Sequence, residues 1–271
     1  MSPAISVTVD RFLNDQHHAT EPDWVATEEP LELRLEGRAL AVIMRTPGHD
    51  EDLAAGFLLT EGIIKKSTDL FELSVCPSNA EGESKGNVVE ALLSNNTSIN
   101  WDNLTRHVFT SSSCGLCGKA TIDSIFQIFP PVTADWQIPA SIIRNLPDKL
   151  RQAQDTFTQT GGLHASALFD LEGNLIVLRE DVGRHNALDK VLGHALRHNL
   201  LPLNNHLLMV SGRVSFEIIQ KALAANIPLI AAVSAPSSLA VEFAQSAHQT
   251  LIGFLRGNKM NIYTHPQRIQ S

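Results

Sequence analysis

The segment Ser111-Ser112-Ser113-Cys114-Gly115-Leu116-Cys117-Gly118 holds two of the chain's three cysteines, at C-x-x-C spacing. A thiol reacts mainly as its thiolate, and one member of such a pair commonly has a lowered pKa. The surrounding serines and glycines favour turns over regular structure. A loop of this composition lets a sulfur approach a partner and then withdraw. Lys119 and the polar serines suit a thiolate, as do free amides if Lys119 opens the helix expected over residues 120–126. Three chemistries compete at this point. Half of a structural zinc site would need two further ligands, and the only other cysteine is Cys76, far upstream beside Pro77, with histidines such as His107 as alternatives. A thioredoxin-like dithiol belongs after a strand in an early βαβ unit. A sulfur-carrying nucleophile needs an exposed, mobile thiolate. The local residues leave all three open.

Other groups are capable of chemistry. His49-Asp50-Glu51-Asp52 opens a predicted helix, where acidic residues suit the positive end of the dipole; the same cluster could instead bind a metal or substrate. Arg179-Glu180-Asp181-Val182-Gly183-Arg184-His185-Asn186 mixes acids, bases and cations between a strand and a helix. It fits either an ion-paired solvated loop or a site. His164 lies among apolar neighbours, which makes a buried, satisfied imidazole the default. Three loops follow predicted strands: Ser211-Gly212-Arg213, Ser234 to Ser238, and Arg256-Gly257-Asn258-Lys259. Free amides or cations there would suit phosphate, although the last is equally readable as a hairpin turn. No G-x-G-x-x-G and no Walker A sequence occurs.

These residues must be placed by 271 residues of which 43% are hydrophobic, enough for an ordinary core in one large domain or two modest ones. The net charge of −8 argues against a general nucleic-acid binder, so an anionic ligand must be met by local cations. Three cysteines are no disulfide scaffold and suggest a reducing compartment. The N-terminus lacks a basic start followed by an apolar core, and no apolar run approaches a membrane span. The expectation is a soluble cytoplasmic protein.

Residues 1–23 read as an arm or loose edge strand. Val25 to Leu35 and Ala39 to Arg45 alternate like strands about a turn at Glu36-Gly37-Arg38. A helix follows from Asp50, with strands over Leu70 to Val75 and Asn87 to Leu93. Pro130-Pro131 marks a boundary between an N-terminal α+β domain (1–130), which carries the C-x-x-C loop near its end, and a C-terminal α/β domain (131–271). Ser141 to Phe157 reads as two helical pieces broken at Pro147. Strand-like runs then alternate with helices: Leu163 to Phe169, Leu175 to Leu178, a helix capped by Asn186, His206 to Val210, a helix from Ser215, Pro228 to Val233, a helix through His248, and Leu251 to Phe254. That alternation predicts crossover connections and parallel pairing. Ligands of such sheets sit beyond the strands' carboxyl ends.

With these residues laid out, the chain resembles the formate dehydrogenase accessory sulfurtransferase (FdhD) family from about Trp24 to Arg268. The resemblance rests on Thr46-Pro47-Gly48-His49-Asp50-Glu51-Asp52-Leu53-Ala54-Ala55-Gly56-Phe57, Ser113 to Gly118, Thr160-Gly161-Gly162-Leu163-His164-Ala165-Ser166, Glu180 to Lys190, Ser211-Gly212-Arg213, Gly253 to Gly257 and Tyr263 to Pro266. It implies an enzyme that accepts sulfur from a cysteine desulfurase as a cysteine persulfide. The sulfur passes to the molybdenum cofactor, in its bis(molybdopterin guanine dinucleotide) form, before that cofactor enters the formate dehydrogenase apoprotein. It also implies a homodimer, no permanently bound metal, and a C-terminal three-layer αβα domain similar to the cytidine deaminase fold. Carried over residue by residue, Cys114 is the persulfide position and Cys117 its partner. Phe254, Leu255, Arg256, Gly257, Asn258 and Lys259 form the cofactor-binding stretch; on the residues' own chemistry, Arg256 and Lys259 with loop amides would hold the phosphates, and Arg213 and Arg184 are further candidates. Asn258-Lys259 depart from a segment that is otherwise richer in arginine. The alternatives are a non-catalytic cofactor chaperone, or a structural zinc or dithiol protein. Zinc-dependent base deamination would need a Glu two residues after a ligating His and a downstream P-C-x-x-C. His164 is followed by Ala165-Ser166, and both motif cysteines lie upstream.

Overall fold

The structure, a computed structural model, describes residues 1–76, 86–95 and 128–270. Cys114, Cys117, His107, the polar loop after Cys76 and the helix expected over 120–126 lie outside the described residues.

Residues 1–26 form a ribbon, not a loose arm. Strands β1 (Ala4–Leu13) and β2 (Gln16–Ala26) pair antiparallel with each other and with no third described strand. Asn14 and Asp15 join them with φ of 49° and 62°, the mirror-image turn that matches strand twist and favours Asn and Asp. Thr27 N then donates to Pro3 O at 2.9 Å, where the chain leaves the ribbon. The run expected as one strand from Val25 to Leu35 is therefore two, and β3 begins afresh (Glu29–Leu35).

A four-stranded sheet follows in the order β4-β3-β6-β5, built from β3, β4 (Arg38–Arg45), β5 (Leu70–Val75) and β6 (Val88–Leu93). Leu31, Leu33 and Leu35 point alternately inward and are fully buried. Against this face lies α1 (Asp50–Thr60), which is buried along almost its whole length from Asp52 to Thr60. Its other side is covered by α4 (Arg184–Arg197). Two glycines allow that crossing. A Cβ on Gly56 would lie 1.9 Å from the backbone oxygen of Asp189, and one on Gly193 would lie 1.8 Å from that of Asp52. The two helices meet backbone to backbone.

The second half carries a six-stranded sheet in the order β13-β12-β11-β10-β8-β9. Its strands are β8 (His164–Phe169), β9 (Leu175–Asp181), β10 (Leu207–Val210), β11 (Leu229–Ala232), β12 (Thr250–Arg256) and β13 (Lys259–Thr264). β10, β11 and β12 run parallel, as the alternating pattern predicts, and β8, β9 and β13 are antiparallel additions. On one face α2 (Ala140–Gln152) packs Ile143, Leu146 and Leu150 against Ala167, Phe169, Met209 and Ala231. On the other, Leu168, Leu208, Val210 and Ile230 meet α4, α5 (Phe216–Ala224) and α6 (Ser238–Ser246). The layers are helix, sheet, helix. A short parallel pair, β7 (Ile138–Pro139) with β14 (Ile269–Gln270), ties the C-terminus beneath α2. The apolar cluster containing β3 and α1 continues through α4 into α5 and α6, so it includes residues from both sides of Pro130-Pro131.

Two local expectations are corrected. Pro147 does not break the helix: α2 runs through it, and the chain turns at Ala153-Gln154 before α3 (Asp155–Thr160). Burial of three apolar side chains on the sheet outweighs the lost backbone bond at proline. Asn186 is no cap. Gly183 occupies that position, Asn186 sits inside α4, and its Nδ2 donates to Met44 O at 2.8 Å and to Asp181 Oδ1 at 2.9 Å. No helix of the described residues is long and apolar enough to cross a membrane.

Candidate functional site

The acidic cluster at the start of α1 is held by arginines. Arg45, fully buried at the end of β4, donates from Nε and Nη2 to the two oxygens of Asp50 at 2.9 and 3.0 Å. Asp52 accepts from Arg179 at 2.8 and 3.1 Å and from Arg197 Nη1 at 2.6 Å, while Arg197 also pairs with Glu51. Among the described residues no group of three or more metal-ligating side chains is arranged to hold an ion. Burial alone would raise the Asp52 pKa, but hydrogen bonds from Arg179 and Arg197 and their charges hold it below the usual 3.8. A depressed carboxylate pKa stabilises the fold above the unfolded value, and that stability is lost as pH falls through the folded value. Asp52→Asn is therefore expected to be less stable than the wild type near neutral pH. The gap should shrink as pH falls below the usual carboxylate range, as urea melts at a series of acidic pH values would show.

The segment from Arg179 to Lys190 is the counterpart of the Thr46 turn. Asp181, fully buried, pairs with Lys190 at 2.7 Å and accepts from Thr46 N at 3.1 Å. Thr46 Oγ1 accepts from Val182 N, and Thr46 O accepts from Lys190 Nζ at 2.8 Å. Deeper in, Lys221 binds both oxygens of Asp189 at 3.0 and 2.9 Å and Thr60 Oγ1 at 2.8 Å. Residues more than a hundred positions apart thus form one buried joint between α1, β9, α4 and α5. Much of what looked like a catalytic loop positions other elements.

What remains lies at one edge of the six-stranded sheet. Because β10, β11 and β12 are parallel, the loops after them emerge together. They are laced by backbone bonds from Val214 N to Ala235 O, Ser237 N to Val214 O and Phe254 N to Ser234 O. His164 begins β8 at the same edge. The sequence groups Ser211, Arg256 and Gly257 do line one cleft here, together with His164, Gly161 and Gly162. This cleft of about 650 Å³ falls in the size range of small-molecule sites. Its opposite wall comes from Pro147, Leu150, Arg151 and Gln154 of α2 and the following turn, and from Phe157 of α3.

The hairpin tip is irregular. The β12–β13 register shifts between Gly253 and Arg256, and Phe254 has φ of 52°, a conformation uncommon for a bulky residue. The shift turns Phe254 outward, sends Leu255 into the core and leaves Arg256, Gly257, Asn258 and Lys259 exposed. Arg256–Lys259 is thus the hairpin turn, of which Arg256 and Gly257 line the cleft while Asn258 and Lys259, like Phe254 and Arg213, do not. Arg256 Nε donates to Val233 O at 2.9 Å, which fixes the guanidinium. Arg256, Lys259 and Arg213 make no ion pair with a described carboxylate. Arg213 is exposed and near enough to His164 to act on it: burial, then the charges of Arg184 and Arg213, lower the His164 pKa. Gly212 permits this closeness, since a Cβ there would meet His164 Nδ1 at 3.1 Å. Arg184 Nε is buried with no hydrogen-bond partner among the described residues. His185 is pushed down to about 4 by burial and by the charges of Arg184 and Lys221, so it is neutral at physiological pH. The rim therefore carries Arg256, Lys259 and Arg213 without an ion pair to a described carboxylate, which suits a polyanion even with Asp148 in the cleft wall.

Sequence reasoning missed Arg151, Gln154 and Phe157, which read as ordinary helical residues. It also missed the role of Glu180, whose carboxylate accepts from Thr156 N and Phe157 N at 2.9 and 2.8 Å. The helix dipole favours this carboxylate at the start of α3, and the contact sets Phe157 against the cleft.

Comparison with known proteins agrees with this architecture. A crystal structure of a protein assigned as a formate dehydrogenase accessory protein, from Desulfotalea psychrophila, superposes with a TM-score of 0.80 at 26% identity, covering 99% of this chain and 100% of that one. A relative named sulfur carrier protein FdhD from Streptomyces coelicolor is 47% identical over 266 residues, 95% of this chain and 93% of its own. Its namesake from Sulfolobus acidocaldarius is 42% identical over 257 residues, 95% of each chain. A sequence profile described as the FdhD/NarQ family matches residues 26–270. Across nearly its whole length, then, the chain belongs to the FdhD/NarQ family.

Proposed function

We propose that this protein is a sulfur carrier that loads Cys114 from a cysteine desulfurase and delivers the sulfur to a guanylated molybdenum cofactor, its cargo, before insertion into formate dehydrogenase. The Cys114 thiolate attacks the terminal sulfur of the donor's persulfide. A new S–S bond forms at Cys114, and the donor's own sulfur leaves with the electron pair of the old bond as a thiolate. No outside oxidant is needed, because the sulfane sulfur carries its oxidation level with it. The cargo would lie in the cleft, its phosphates against Arg256, Gly257 and Lys259, with Arg213 and Arg184 adding charge. Delivery as sulfide takes two electrons, which the motif's second thiol can supply. The Cys117 thiolate attacks Cys114 Sγ, the Cys114 S–S bond to the carried sulfur breaks, and that sulfur leaves with the electron pair. The Cys114–Cys117 disulfide left behind is reduced by an external thiol before the next cycle.

The observation that supports this reading is the set of cations at the strands' carboxyl edge without an ion pair to a described carboxylate, beside a cleft whose far wall sets Pro147, Leu150 and Phe157 among the polar groups of Asp148, Arg151 and Gln154. That combination suits a ligand with phosphates at one end and a flat heterocycle at the other. Calorimetry with GDP tests it. Arg256→Ala is expected to weaken binding about tenfold, the loss of one charge-assisted contact. Equal affinity for the two proteins would remove Arg256 from the site. Desulfurase-dependent sulfur loading should be unchanged in the same variant.

A further inference from the structure

The cleft contains one group that its own protein leaves unused. Gln154 is 3% exposed. Its backbone is engaged, accepting from Thr158 N at 3.1 Å and Thr158 Oγ1 at 2.6 Å. Its side-chain amide makes no hydrogen bond with a described residue and faces the cleft. Buried amides are ordinarily satisfied, because each lost partner costs roughly 1–3 kcal/mol of desolvation. A side-chain amide with no partner among the described residues, on a wall it shares with Asp148 and Arg151, is available to a ligand in the cleft.

The amide's chemistry narrows that partner. It presents an N–H donor and a carbonyl acceptor side by side in one plane. It therefore matches a ligand edge that offers an acceptor beside an N–H. Its neighbours say what the rest of the ligand looks like. The Arg151 guanidinium lies 4.8 Å from the centre of the Phe157 ring, and both line the same cleft. Arg151 Nη1 is anchored to Thr158 Oγ1 at 2.8 Å, and Glu180 holds the Phe157 backbone. This is a fixed planar surface of the kind on which nucleobases stack. The cations lie across the cleft at Arg256.

We infer that Gln154 is the base-reading residue of the cleft, its amide paired with the O6 and N1–H edge of a 6-oxopurine stacked on the Phe157–Arg151 shelf. The assignment rests on the nucleotide cargo proposed above and gives that cargo a direction: base toward α2 and α3, phosphates toward the β12–β13 tip. Gln154 is then the specificity residue, and Arg256 serves the phosphates whatever the base.

Calorimetry on the full chain with two probes, GDP and pyrophosphate, separates the two ends. Gln154→Leu keeps the volume and removes both hydrogen bonds. It is expected to weaken GDP about tenfold or more and to leave pyrophosphate within twofold. Arg256→Ala should weaken both probes. A ligand-side control needs no variant: N1-methylguanosine diphosphate should bind the wild-type protein at least tenfold more weakly than GDP. If Gln154→Leu and the methylated nucleotide both bind like their references while Arg256→Ala still weakens GDP, the base assignment is wrong and the nucleotide cargo stands. If the wild-type protein binds neither GDP nor pyrophosphate, the cargo reading fails and the assignment falls with it.

Discussion

Cys114→Ala is expected to abolish maturation of formate dehydrogenase while leaving thermal unfolding of the carrier within about 1 °C of the wild type. The reasoning is chemical. Attack on a persulfide needs a thiolate, and a methyl group supplies none. Loss should be complete, because catalysis by a covalent sulfur relay has no partial form. The fold should be indifferent, since the exchange of a thiol for a methyl removes one sulfur and adds no bulk or charge. Formate dehydrogenase activity in cells carrying the variant as their only copy is the measurement. Wild-type activity there would show that the protein works as a cofactor chaperone without sulfur chemistry.

The second large effect is on stability and comes from the helix crossing. Gly56→Ala would place a methyl group 1.9 Å from the Asp189 carbonyl oxygen, and that obstacle is backbone, not a flexible side-chain end. Relief requires α1 and α4 to move apart. Such a movement strains the Asp52–Arg179 and Lys221–Asp189 contacts on either side of the crossing. Overpacking of this kind costs about 3 kcal/mol, which corresponds to a fall in melting temperature of roughly 5–10 °C for a chain of this size. Gly162→Ala is the matched control. Its Cβ would meet Ala26 Cβ at 3.6 Å, an ordinary contact, so its melting temperature should barely change. A Gly56→Ala protein as stable as the control would mean that the helices do not cross so closely.

The legibility of the sequence followed the range of the physics. β5 was expected over Leu70 to Val75 and forms there, because a local apolar run with turn residues at its ends is enough to specify it. The parallel centre of the second sheet was equally readable. Short apolar runs separated by helical periodicity leave few other topologies, and the shared edge for Ser211, Arg256 and Gly257 follows from parallel pairing. Acid and base patterns were harder to interpret. Thr46, Asp181 and Lys190 resemble a site in sequence, but their partners lie more than a hundred residues away, and only the folded chain shows that Lys190 and Asp181 meet Thr46. Pro147 misled for a related reason: its cost is local, whereas the burial that overrides it comes from the opposing sheet. Gln154 and Phe157 could not be found at all. A glutamine after a helix and a phenylalanine in the next carry no pattern, and their meaning comes from the cleft that β8, β10 and β12 build opposite them.

The account turns on where the sulfur resides. Mixing the protein with a cysteine desulfurase and cysteine, followed by peptide mass spectrometry without reductant, is expected to show an added mass of about 32 Da, one sulfur atom, on the peptide containing Cys114, and none on that peptide in Cys114→Ala. An unmodified Cys114, with stoichiometric zinc held by Cys114 and Cys117 in its place, would contradict it.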